Sequence, residues 1–192
     1  MKKVTTKLIT AQICLSLVVL TINCKNYNLI CIGGLCLKGD QKLIDCLNAR
    51  LADELAAINQ YFVHAEMCEN WNYDRLGDVI EKRAITEMRH AEKLIERILF
   101  LEGKPIVSNL SEIRIGGQVP EMHDHDHWAE EEAIKGYNQA IRLAAELGDN
   151  DTKVLLESIL KEETEHIDWI EAQMDQINQV GVQNYLAQQI HE

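Results

Sequence analysis

Glu87-Met-Arg-His90 and Glu163-Thr-Glu-His166 decide the fold, because each stands 33 residues after a single glutamate, Glu54 in the first case and Glu130 in the second. A Glu-x-x-His alone carries little weight in a chain that is about a tenth glutamate. Its recurrence at one spacing in both halves carries much more. An interval of that length accommodates two antiparallel helices joined by a short loop, so four helices bring four carboxylates and two imidazoles to one level of a bundle. This donor set is the established one for di-metal carboxylate bundles, so the chain is matched here to a known pattern.

Hydrophobic periodicity places the helices. From Gln41 to about Trp71, apolar residues recur at Ile44, Leu47, Leu51, Ile58 and Ala65, with Glu54 and Tyr61 on the same stripe. A turn at Asn72 to Asp74 leads to a second helix ending near Leu101, whose inward face carries Leu76, Ile80, Ala84, Ala91, Leu94 and Ile98 with Glu87 and His90. Gly103 and Pro105 end it, and residues 104–119 form the long crossover that a parallel second hairpin needs. The third helix begins after Pro120 and runs to about Leu147 with Ala133, Ile134, Tyr137, Ile141 and Ala144 inward. Of Glu130, Glu131 and Glu132, only Glu130 precedes stripe members by three, four and seven residues. A fourth helix, Asp151 to about Asn178, carries Leu155, Ile159, Ile170, Met174 and Ile177 with Glu163 and His166, leaving Glu162 and Glu165 off the stripe. Gly181 breaks the chain before a short terminal helix over residues 182–189. The expected class is all-α, a four-helix bundle with a crossover between helices 2 and 3 and a short fifth helix.

Four carboxylates aimed into a core require protons, partners or cations. Two divalent ions cancel four negative charges, and oxygen donors with one imidazole per ion suit Fe(II), with Zn(II) or Mn(II) also able to bind. On this reading Glu87 and Glu163 hold one ion or bridge both, Glu54 and Glu130 are terminal ligands, and His90 and His166 supply nitrogen. Such a pair of irons can pass two electrons to O2 or peroxide. Tyr61, two turns beyond Glu54, is a candidate hydrogen-bond donor behind the ligands. The competing reading, a salt-bridged core, lacks cations, since no lysine lies on an inward stripe and only Arg83 approaches one.

The 192 residues are 46% hydrophobic and 26% charged, with two prolines and few aromatics, which suits one helical domain and not a sheet. Residues 1–36 hold four lysines and no acid, so residues 37–192 hold 15 basic against 31 acidic side chains, a formal −16. Such a body repels nucleic acid and attracts cations. Four of six cysteines lie in residues 1–36 and no C-x-x-C occurs, so neither a zinc knuckle nor a rubredoxin-type centre is supported, and Cys46 and Cys68 read as packed thiols. Residues 8–22 form an apolar stretch after a basic start, too short to span a bilayer comfortably but suited to a signal segment, with Cys24 as a candidate lipidation site. The competing reading is that translation begins at a UUG codon at Leu37 and that residues 1–36 are an upstream artefact. A membrane or export role depends wholly on residues 1–36 being translated. Without them the expected location is the cytoplasm.

Met88 turns about 100° away from the metal face and joins a lateral stripe with Ile85, Ile95 and Leu99. Leu55, Asn59 and Phe62 make a similar stripe on the first helix, and a two-fold dimer would cover both. From spacing alone, Met88 is either ordinary dimer packing or an axial haem ligand.

Leu37-Lys-Gly-Asp40, Asn59-Gln-Tyr-Phe62, residues 87–103 (EMRHAEKLIERILFLEG) and Glu163-Thr-Glu-His166-Ile-Asp168 resemble bacterioferritin over residues 37–192. The resemblance implies a ferritin-like bundle, a shell of 24 subunits built from two-fold dimers, iron storage, and a ferroxidase centre that oxidises Fe(II) with O2 or H2O2. It also implies haem b between paired subunits and a ferredoxin-type reductant for iron release. By position it makes Glu54, Glu87, His90, Glu130, Glu163 and His166 the di-iron ligands and Met88 the axial haem ligand. The chain departs from the family at Thr86, where an acid often precedes the Glu-Met pair, and in the dense run His123-Asp-His-Asp-His127. That run opens the third helix, where acids suit the dipole and side chains are expected to be solvated, with Asp126 as a candidate guide for Fe(II). Three other functions compete. A non-catalytic shell or haem-binding subunit would lack ligands, and none is missing. A rubrerythrin-like peroxidase is disfavoured by the absent C-x-x-C, and an envelope-anchored iron or haem binder depends on residues 1–36.

Overall fold

Four long helices and a short fifth make up the computed structural model, which describes residues 38–190. They are α1 (Gln41–Asn70), α2 (Asp74–Phe100), α3 (Val119–Glu146), α4 (Asn150–Val180) and α5 (Val182–Ala187), with no strand among the described residues. The readings of residues 1–36, the signal-like stretch and Cys24 among them, lie outside the described residues. No helix among the described residues is long and apolar enough to cross a membrane.

Helices α1 and α4 begin where a side chain satisfies one of their first amides. Asp40 accepts from Lys42 N at 2.8 Å, and Asp149 accepts from Thr152 N at 3.0 Å. Asp149 also pairs with Arg97 at 2.7 Å, which ties the end of α2 to the start of α4. Helix α3 starts at Val119, one residue before Pro120 and slightly earlier than expected, because a proline in the first turn forfeits no intrahelical bond. Gly181, at φ +79°, ends α4 in a conformation that side chains rarely adopt.

Packing produces two apolar layers. Leu47, Leu51, Leu94, Ile98, Leu156 and Ile159 lie in one, and Tyr61, Ala65, Leu76, Ile80, Ala84 and Met122 in the other. Burying each large aliphatic side chain contributes about 1.5–3 kcal/mol. Between the layers, each long helix passes through a polar level, at Glu54, at Glu87 and His90, at Glu130, and at Glu163 and His166.

The crossover, residues 101–118, runs alongside α1 and is held by a ladder of polar contacts. Ile106 N donates to Asn48 Oδ1 at 2.8 Å, Ser111 N to the Ala52 carbonyl at 3.1 Å, Arg114 N to Gln60 Oε1 at 2.8 Å and Gly116 N to His64 Nε2 at 3.0 Å. The α1 partners span residues 48 to 64, about 24 Å of helix. A side chain cannot be fitted at Gly116: a Cβ there would lie 2.4 Å from the Met122 backbone nitrogen. Gly116→Ala is therefore expected to destabilise the metal-free protein by about 1–3 kcal/mol, seen as a lower thermal midpoint. An unchanged midpoint would mean the crossover does not hold this path.

Candidate metal centre

The polar level between the two apolar layers gathers all six side chains singled out by spacing. One donor atom from each of Glu54, Glu87, His90 and Glu163 lies within 4.8 Å of the others, as does one from each of Glu87, Glu130, Glu163 and His166. Glu87 and Glu163 are common to both groups. His90 Nδ1 lies 2.9 Å from Glu87 Oε2, 3.0 Å from Glu163 Oε1 and 3.5 Å from Glu54 Oε2. His166 Nδ1 lies 2.9 Å from Glu87 Oε1, 3.4 Å from Glu163 Oε2 and 3.6 Å from Glu130 Oε1. All six residues are at most 8% exposed.

A single imidazole nitrogen carries one proton at most, so it cannot donate to three carboxylates at once. Glu87 Oε1, Glu163 Oε1 and His166 Nδ1 accordingly have no hydrogen-bond partner of acceptable geometry despite their burial. Burial pushes the Glu87 and Glu163 carboxyls well above their ordinary range; neighbouring carboxylates push the same way, while hydrogen bonding to His90 opposes. Burial raises Glu130 too, against the hydrogen bond it accepts from Tyr61. At His90 burial disfavours the charge, but the Glu163, Glu54 and Glu87 carboxylates gathered around Nδ1 outweigh it and raise the imidazole. These groups share one electrostatic problem, an excess of negative charge in a buried level of the core, which a pair of divalent cations would offset. The donor set fits: each half offers carboxylate oxygens and one imidazole nitrogen.

Two phenols stand behind the terminal carboxylates in a crossed arrangement. Tyr61 on α1 donates to Glu130 on α3, and Tyr137 on α3 donates to Glu54 on α1. Both phenols are buried, and desolvation keeps them protonated. Tyr61 was expected near this position; Tyr137 had been read only as a member of the apolar stripe. The signal for it was present, since Tyr61 follows Glu54 by seven residues and Tyr137 follows Glu130 by seven.

Glu162, read only as lying off the apolar stripe, is half-buried and reaches His90 Nε2 at 3.1 Å. One sequence expectation needs correction. The run from His123 to His127, read as solvated, is partly core. His123 is buried against Trp169 and Tyr185, with Nε2 3.3 Å from the Tyr185 hydroxyl, and burial depresses its pKa to about 4. Asp126 is buried as well: its Oδ1 accepts from Gln60 Nε2 at 2.8 Å and lies 2.9 Å from His64 Nδ1. His64 Nε2 accepts from Gly116, which leaves Nδ1 to donate to Asp126. In that run Asp124 is exposed, His125 is half-buried, and His127 is half-buried and pairs with Glu171 at 3.1 Å.

A cavity of about 50 Å³ adjoins the level, its lining running from exposed Glu112 and Glu132, past Trp128, to buried Glu54, Glu87, Glu130 and Glu163. Met88 is elsewhere, 52% exposed on the lateral face of α2, with Leu99 at 58% and Phe62 of α1 at 42% also exposed.

A family model described as a ferritin-like domain matches residues 44–180. A bacterioferritin from Rhodobacter capsulatus is 40% identical over 149 residues, covering 78% of this chain and 92% of that protein. Those from Mycolicibacterium paratuberculosis and Brucella melitensis are each 38% identical, covering 79% and 78% of this chain and 96% and 92% of their own lengths.

Proposed function

Since the chain belongs to the bacterioferritin family, we propose that it stores iron and that its buried carboxylate-imidazole level is a ferroxidase centre taking Fe(II) as substrate. The observation that carries this reading is the pair of imidazole nitrogens, each facing three carboxylates inside a closed core. Glu54, Glu87, His90 and Glu163 hold one Fe(II), and Glu87, Glu130, Glu163 and His166 the other. Paired Fe(II) ions give up two electrons, which with two protons convert O2 to H2O2, or H2O2 to two waters.

The chain's own groups contribute binding, orientation and water exclusion. Tyr61 and Tyr137 each occupy one oxygen of a terminal carboxylate, Glu130 Oε1 and Glu54 Oε1, which restricts how those carboxylates turn toward a cation. Leu51, Ala84, Ala91 and Ile159 close the level from the apolar layers. Asp53, Glu112 and Glu132 line the cavity, each paired with a basic side chain, Arg50, Arg114 and Lys135 respectively.

The proposal extends to the assembled form: a 24-subunit shell made from two-fold dimers, with ferric mineral inside. Met88 would hold haem b between paired subunits, where the haem supplies an electron path for iron release; a ferredoxin-type protein is the reductant. The exposed thioether and its apolar neighbours Leu99 and Phe62 suit a group shared with a second copy, because nothing among the described residues covers them. The test is metal, haem and size analysis of the natively purified particle, with its N-terminal mass and its Fe(II)-dependent O2 uptake. A particle of several hundred kilodaltons with haem absorbance and Fe(II)-dependent O2 consumption is expected. A monomer without iron or O2 uptake would refute the reading.

A further inference from the structure

The centre is built from two halves that match in register: Glu54 with Glu130, Glu87 with Glu163, His90 with His166 and Tyr61 with Tyr137. They differ behind the imidazoles. His90 Nε2 lies 3.1 Å from Glu162 Oε2, and Lys93 Nζ lies 3.1 Å from Glu162 Oε1, so the carboxylate is itself held by a cation. Glu162 directly precedes Glu163 on α4. The residue in the same register on α2, directly before Glu87, is Thr86, which is half-buried like Glu162. Its hydroxyl donates to the Lys82 carbonyl of its own helix at 3.1 Å and offers nothing to α4. Among the described residues, His166 has polar contacts only through Nδ1, to Glu87, Glu130 and Glu163, and no side chain accepts from its outer nitrogen.

This difference bears on metal binding. When Nδ1 gives its lone pair to a cation, the imidazole proton must sit on Nε2. A carboxylate that accepts that proton selects the tautomer, fixes the ring and makes Nδ1 a stronger donor, and losing such a partner typically costs 10–100-fold in metal affinity. His90 has this support, and His166 does not.

Resting on the proposed centre above, we propose that Glu162 is a positioning residue that makes the His90 half the tighter of two unequal metal positions. Thr86, in the matching place, leaves the His166 half looser and more readily exchanged. The tighter position fills first and retains its ion, and the looser one fills last and empties first.

Co(II) titration of the metal-free assembled protein, followed by visible absorption, tests this independently of turnover. The parent is expected to fill in two resolved steps, with His90→Ala removing the tighter and His166→Ala the weaker. Glu162→Ala weakens the tighter step by about 10–100-fold and leaves the other unchanged. Glu162→Gln, which keeps an acceptor oxygen without its charge, falls between. Thr86→Glu installs the missing partner and tightens the weaker step by about tenfold. Glu162 is partly exposed, so these variants are expected to keep the helical circular dichroism of the parent.

Several outcomes overturn the inference alone: one unresolved step in the parent, unchanged constants in Glu162→Ala, no tightening in Thr86→Glu, or loss of the tighter step in His166→Ala. A parent that binds no Co(II), or that still binds two ions per subunit in Glu87→Ala, overturns the metal centre itself.

Discussion

Glu87→Ala is expected to slow Fe(II)-dependent O2 uptake by at least about 100-fold and to reduce Co(II) binding from two ions per subunit to one or none. Glu87 Oε2 lies 2.9 Å from His90 Nδ1 and Glu87 Oε1 lies 2.9 Å from His166 Nδ1, so this side chain serves both halves of the level. Removing a hydrogen-bonding partner behind a ligand costs 10–100-fold, and removing a shared ligand should cost no less. Glu54 provides the contrast, since its only imidazole contact is to His90. Glu54→Ala is expected to keep one ion at the His166 half while losing the paired ions that a two-electron step requires. Alanine favours helix, so α2 should persist in Glu87→Ala, which far-UV circular dichroism would verify. Oxidation within tenfold of the parent rate would show that the chemistry lies elsewhere.

The positions of these six residues were legible because helical period and chain spacing together define direction and height in a bundle. Glu130 could be picked out from Glu131 and Glu132 because only one of three adjacent glutamates can share an apolar stripe; the structure buries Glu130 and leaves the other two exposed. Glu162 escaped the same argument for a physical reason. Periodicity gives the direction of a Cα–Cβ bond, whereas a glutamate carries its carboxylate two further carbons away and can curl toward a neighbouring helix. Tyr137 was missed because a phenol satisfies an apolar pattern as well as leucine does, and its hydroxyl becomes informative only opposite Glu54.

The crossover and the start of α3 were the least legible. The ladder from Asn48 to His64 pairs side chains of α1 with backbone amides of the crossover, and backbone amides leave no mark in a sequence. His123 and Asp126 look solvated on α3 alone because acids and polar groups suit the first turns of a helix. What buries them is nonlocal. Tyr185 of α5 lies against His123, and Gln60 and His64 of α1 enclose Asp126. The expected fifth helix is present, but its six residues are held by contacts rather than by propensity, Tyr185 bonding Gln173 at 3.1 Å and Arg75 N donating to the Gln189 carbonyl at 3.1 Å.

A metal level of this kind should lower the stability of the empty protein, and the double variant Glu87→Leu, Glu163→Leu measures by how much. Four carboxylates face two imidazoles, so full ionisation of all six leaves two surplus negative charges in the core. Replacing Glu87 and Glu163 leaves Glu54 near His90 and Glu130 near His166, a balanced set. Exchanging buried charge for apolar side chains of similar size is often stabilising by about 1–4 kcal/mol, and the metal-free variant is expected to melt above the metal-free parent by that margin. The sign with pH follows from the raised carboxyls. Above the ordinary glutamate value of 4.5, the folded parent keeps protons that the unfolded chain has released, so its metal-free stability falls as pH rises. The variant should lose most of that slope. Cations reverse the order: at a concentration 100 times the dissociation constant, each bound ion stabilises the parent by about 2.7 kcal/mol, while the variant has no pair of positions to fill. Melting curves with and without Co(II) at two pH values would reveal the crossing. A variant less stable than the empty parent at neutral pH would mean that the carboxylates are already compensated within the fold, which would remove the electrostatic reason for a cation there.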